Sequence, residues 1–87
     1  MSDHIGVLLV DDQELIRYGL RLVIDAQPDL QVVGEVADGD EAVQAAVRLQ
    51  PDVILMDVRM RNMNGIDATQ EIMRVRPQSR VVVLTTY

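Results

Sequence analysis

Eighty-seven residues, 48% apolar and 25% charged, limit this chain to one small domain with a modest core and set it apart from the polar, highly charged composition of a disordered segment. The net charge of −6, with all eight cations Arg and none Lys, argues against a nucleic-acid surface, which needs clustered cations to displace counterions from phosphates. The absence of Cys excludes disulfides and thiolate metal sites and suits a reducing cytoplasm; no apolar run approaches a membrane span, and Met1-Ser2-Asp3-His4 carries no basic signal-peptide start.

Taken in order, Ile5-Gly6-Val7-Leu8-Leu9-Val10 reads as a buried first strand that ends on Asp11 and Asp12. Residues 13 to 26 place Leu15, Ile16, Gly19, Leu20, Val23 and Ile24 at helical spacing, with a stop before Pro28. Leu30 to Val36 read as a second strand interrupted by Gly34. Asp38-Gly39-Asp40 then turns the chain into a helix over 40 to 49, with Ala42, Ala45, Ala46 and Leu49 inward, Asp38 and Asp40 as caps and Pro51 marking the end. Val53 to Met56, continuously apolar, read as a third strand buried on both faces, and Asp57 follows it. After a loop closing at Gly65, a third helix over 66 to 75 is expected to bury Ile66, Thr69, Ile72 and Met73. Arg80 to Thr85 supply a fourth strand.

Strand and helix alternate three times and a strand closes the series, which is the order of an α/β parallel sheet with crossover helices on both faces. Three helices leave one face undercovered, and a last strand rich in Val and Leu is an edge that invites pairing with another chain. The expectation is a domain over 1–87 that is incomplete at its C-terminus, associating as a homodimer or swapped oligomer.

If the strand order is 2-1-3-4, the switch point where such sheets bind ligands lies between the first and third strands, and Asp11, Asp12 and Asp57 meet there. Three carboxylates without His or Cys form a hard-cation site, suited to Mg2+. A carboxylate beside Mg2+ can attack phosphorus to form an aspartyl-phosphate. Asp57, alone at the tip of a central strand, is then the nucleophile, Asp11 and Asp12 hold the metal, and the Thr85 hydroxyl at the end of the fourth strand hydrogen-bonds a phosphoryl oxygen.

With Asp11-Asp12, Asp57, Gly65 and Thr85 at matching positions, the chain resembles the receiver domain of bacterial two-component response regulators over nearly its whole length. The stretches Val7-Leu8-Leu9-Val10-Asp11-Asp12-Gln13-Glu14 and Asp52-Val53-Ile54-Leu55-Met56-Asp57-Val58-Arg59-Met60 resemble the subfamily whose receivers precede a LuxR-type helix-turn-helix. The resemblance implies a flavodoxin-like sheet, 2-1-3-4-5 when complete, whose fifth strand, last two helices and output domain this chain lacks. It implies that a histidine kinase phosphorylates Asp57, that Asp12, Asp57 and the Arg59 backbone carbonyl ligate Mg2+ while Asp11 assists through water, and that Thr85 is the switch hydroxyl. DNA would be reached only through the output domain, and self-phosphorylation would not be enzymatic turnover. The sequence departs from the pattern in carrying Arg61 where a Pro is usual, and in lacking the phosphoryl-contacting Lys and the aromatic switch residue of the fifth strand.

Other readings use the same residues. Asp11 or Asp12 could cap the first helix, with Glu14 completing a capping box. A dehalogenase-type Mg2+-dependent phosphatase or phosphotransferase also uses a strand-tip Asp, but needs a second one at the position of Arg59. A flavodoxin-like nucleotide binder would want hydroxyls and amides in the acidic first loop. A receiver-shaped interaction module would never be phosphorylated.

Overall fold

In the computed structural model, residues 4–59 and 64–84 are described, and they form a parallel sheet with three crossover helices. The elements are β1 (Ile5–Val10), α1 (Glu14–Asp25), β2 (Leu30–Val36), α2 (Gly39–Leu49), β3 (Val53–Asp57), α3 (Gly65–Val75) and β4 (Arg80–Leu84). The strand order is β2-β1-β3-β4, as the resemblance implied, so the order reverses between β1 and β3.

Period-two alternation divides the strand residues between two cores. Leu8, Val10, Ile54 and Met56 face α2 and α3, where Ala42, Ala45, Ala46, Ala68 and Ile72 complete a buried cluster. Small alanines let both helices lie close to the sheet. Val7 and Leu9 face the other way, toward Ile24 of α1, with Leu20, Leu30, Val32, Val53 and Leu55 packed around them. Two helices cover one face and one covers the other, which is the unequal coverage read from the sequence.

That inequality corrects several expected core positions. Leu15 is 80% exposed and Val23 63%, and Gly19 is exposed too, so α1 buries Ile24 fully and Ile16 and Leu20 only in part. The periodicity marked an apolar face wider than a single sheet surface can cover. Ile66 and Met73 are likewise exposed, while Ile72 is buried as expected and Ala68 joins it in the core. In β3, Ile54 and Met56 are fully buried, but Val53 and Leu55, on the α1 side, are only partly so.

Gly34 marks an irregularity in β2. The register shifts from Val7↔Val32 to Leu8↔Gly34, leaving Val33 as the extra residue of a bulge. A Cβ at Gly34 would come 2.6 Å from Leu49 Cδ1, so the bare position lets α2 approach the strand. Helix α2 starts on Asp38, whose Oδ1 accepts the Glu41 N–H at 2.9 Å, whereas Asp40 lies in the first turn and is not the cap. It ends on Gln50 in the left-handed region at φ 51°, ahead of Pro51.

Candidate functional site at the carboxyl ends of the central strands

The pairing of Val10 with Met56 sets the ends of β1 and β3 side by side, so that Asp11 and Asp57 emerge from neighbouring strands at one edge. Two further amides extend the ladders there: Asp11 N–H donates to Val36 O at 3.1 Å and Val58 N–H to Leu84 O at 3.2 Å. Oxygens of the Asp11, Asp12 and Asp57 carboxylates lie within 4.8 Å of one another. Asp11 and Asp57 are each only 3% exposed, and Asp12 faces solvent.

Each buried carboxylate is steadied by the backbone amide two residues on. Gln13 N–H donates to Asp11 Oδ1 at 2.8 Å, and Arg59 N–H to Asp57 Oδ1 at 3.1 Å. Neither aspartate of the first loop caps α1. Gln13 holds the N-cap position without a side-chain hydrogen bond, so the capping-box reading with Glu14 is not realised. The Asp11 carboxyl is pushed above the usual carboxylate range, chiefly by burial and further by Asp57 and Asp12, against the pull of the Gln13 amide and the Arg17 guanidinium.

Helix α3 closes the site from the side. Asn64 caps it by accepting the Asp67 N–H at 2.9 Å, and Thr69 Oγ1 donates to Gly65 O at 2.6 Å. Gly65 N–H donates to Val58 O at 3.1 Å, and a Cβ at this position would sit 2.4 Å from Asp57 O and 2.8 Å from Val58 Cα. Only glycine allows the helix start to rest on the backbone that carries Asp57.

Of the residues singled out from sequence, Asp11, Asp12 and Asp57 come together, and Arg59 joins them through its amide. Thr85 and Arg61 lie outside the described residues. Three contributors were missed. Arg17 reaches back from α1 so that its Nη1 donates to Asp11 O at 2.5 Å. Glu35, the one charge within the run Leu30–Val36, pairs with Arg17 at 3.5 Å and with Arg21 at 3.0 Å. Asn64 is the α3 cap. A lone acid in an apolar strand was the signal available for Glu35, and Asn immediately before Gly65 was the signal for the cap.

The donor set fits a hard divalent ion. An octahedral Mg2+ holds oxygens at about 2.0–2.1 Å and keeps several waters, so it needs only one or two direct carboxylates from a group this close. Buried repelling carboxylates supply the charge such an ion offsets.

A profile described as the response regulator receiver domain matches residues 7–87. The transcriptional regulatory protein LiaR of Bacillus subtilis is 51% identical over 83 residues, which are 95% of this chain and 39% of LiaR. The chain thus spans about two-fifths of that relative's length. A two-component response regulator of the LuxR family from Aurantimonas sp. superposes with a TM-score of 0.91 at 32% identity, over 97% of this chain and 60% of that one. A CheX–CheY complex with BeF3 and Mg2+ from Borrelia burgdorferi gives a TM-score of 0.87 at 26% identity, over 94% and 62%.

Proposed function

The chain belongs to the response regulator receiver family, and from that membership we propose that it is a phosphorylation-controlled switch with Asp57 as the phosphoacceptor. The observation that carries this reading is a carboxylate nearly sealed from solvent at the tip of β3, within 4.8 Å of two others. In the proposed reaction an Asp57 oxygen attacks the phosphorus of a kinase phosphohistidine. The new P–O bond forms as the P–N bond breaks, and the departing imidazole takes up a proton.

Asp12, Asp57 and the Arg59 carbonyl would hold Mg2+, with Asp11 acting through water. When bound, the metal offsets negative charge on the transferring phosphoryl group. The Arg59 amide holds one Asp57 carboxylate oxygen, and the other would make the attack. Thr85 would donate a hydrogen bond to the transferred group. Turnover on an external substrate is not proposed, and Arg59 stands where a dehalogenase-type phosphatase needs its second aspartate.

In the intact regulator, the phosphorylated state would bias dimerisation and a DNA-binding output domain outside these 87 residues, in the cytoplasm. LiaR, named a transcriptional regulator, and the LuxR-family structure support that reading. Incubation of the full chain with acetyl phosphate and Mg2+ tests it. One base-labile phosphoryl mass is expected, absent from Asp57→Asn. Failure to form it would favour an interaction module that is never phosphorylated.

A further inference from the structure

We propose that Arg17 is a positioning residue for the acid pocket, clamping the Asp11 carbonyl to Glu35 of β2 and so fixing the peptide that joins Asp11 to Asp12. The inference rests on the metal-site reading above. Arg17 lies in the first half of α1, and its guanidinium spans two elements: Nη1 donates to Asp11 O at 2.5 Å, and Nε lies 3.5 Å from Glu35 Oε1. Glu35 is itself anchored, since its other oxygen accepts from Arg21 at 3.0 Å and Arg21 stacks 5.3 Å from the Tyr18 ring centroid.

The position of this contact gives it leverage. The Asp11 carbonyl belongs to the peptide plane between two candidate metal ligands, and rotation of that plane swings the Asp12 side chain. Helix α1 begins without a side-chain cap, so the usual device for fixing a loop to a helix start is missing. Arg17 supplies a fixed point from within the helix instead.

Arg17 Nε is buried without a hydrogen bond, at ion-pair but not hydrogen-bond geometry from Glu35, which is not how a pair chosen for stability is made. A guanidinium beside a cation site also repels the cation. Repulsion alone predicts tighter Mg2+ binding when the guanidinium is removed, a geometric role predicts weaker binding, and a variant that keeps the charge separates geometry from any other electrostatic contribution.

Calorimetric titration of the full chain with Mg2+ alone distinguishes the two. Removing the guanidinium in Arg17→Met should weaken Mg2+ binding by roughly tenfold, at the low end for loss of a group that orients metal ligands. Affinity that is unchanged or higher than wild type would overturn the inference while leaving the metal site intact. Should Arg17→Met not fold, Arg17→Lys keeps the charge but lacks the rigid planar fork that spans both acceptors, and a loss of affinity at unchanged charge is expected; wild-type affinity in that variant would equally overturn the role. Glu35→Gln, which leaves the pocket's own ligands untouched, should lower affinity in the same direction, and should add little on top of Arg17→Met. If wild-type protein itself takes up no Mg2+, the metal-site reading fails and this inference falls with it.

Discussion

Strand β3 carries an aspartate just before its first residue and another at its last, and the two are treated in opposite ways. Asp52 is exposed and fully engaged with the backbone: its Oδ2 accepts the Gly6 N–H at 2.8 Å, its own N–H donates to Gly6 O at 2.9 Å, and its carbonyl accepts the Arg80 N–H at 2.9 Å. Nearby, Ser79 Oγ donates to Pro51 O at 2.6 Å. Asp57 is buried against two other carboxylates. One end of the strand uses an aspartate's carboxylate to tie β3 to β1 and its backbone carbonyl to reach β4, while the other gathers charges that oppose folding. A cluster that costs stability at the functional end is tolerated because the opposite end and the two cores hold the sheet.

Substitutions at the two ends should therefore act in opposite senses. The largest effect is expected on metal binding: Asp57→Asn abolishes measurable Mg2+ uptake and raises the melting temperature of the metal-free protein by relieving repulsion, whereas Asp52→Ala leaves Mg2+ affinity unchanged. Parallel calorimetric and thermal scans read both. If the two variants shift stability in the same direction, the contrast between the ends is lost.

Gly65→Val follows in size. Its side chain would meet backbone atoms of Asp57 and Val58, which cannot rotate away, so a cost of about 1–3 kcal/mol is expected from overpacking, together with weaker Mg2+ binding. Urea unfolding gives the first quantity. A loss of stability without any change in metal binding would separate the helix start from the site and break the link proposed between them.

The sequence made the sheet legible because each strand is a short apolar run closed by a polar or turn residue, and the helices between them end at Pro28, Pro51 and Pro77. It made the acid pocket legible for the same reason: the runs ending in Asp11-Asp12 and in Asp57 become neighbours once the order is known. Burial was less readable. Leu15, Val23, Ile66 and Met73 satisfy helical periodicity but stay more than half exposed, and periodicity says which side of a helix is apolar without saying what lies opposite. The clamp from Arg17 through Glu35 was hidden because a charged residue on a helix reads as solvated; only the fold brings the guanidinium back over the Asp11 carbonyl.

Asp52→Ala is the third prediction by magnitude. Loss of a single backbone-to-carboxylate hydrogen bond at an exposed position should cost about 1 kcal/mol or less. Gly6 and Asp52 remain joined through the Asp52 amide, which limits the damage. Chemical denaturation checks it, and a cost well beyond this would mean that the N-terminal edge holds more of the sheet together than its hydrogen bonds indicate.

The smallest effect is a dependence on pH. The Asp11 carboxyl is held above its ordinary value of 3.8, first by burial and then by its acidic neighbours, so the folded state keeps its proton more tightly than the unfolded chain. Between that ordinary value and the higher folded one, the native state binds more protons, and stability falls as pH rises through the window. Above the window the deficit is constant. Asp11→Asn removes it, so in metal-free buffer the variant should be more stable than wild type at neutral pH, with the gap closing as the pH drops below the ordinary carboxylate value. Mg2+ should reverse the ranking at neutral pH, because only the wild type gains from a ligand that binds the ionised native pocket. Denaturation midpoints for both proteins across this pH range, with and without Mg2+, measure the two signs together; curves that run parallel in the metal-free series would mean that Asp11 does not share in the strain assigned to this end of the sheet.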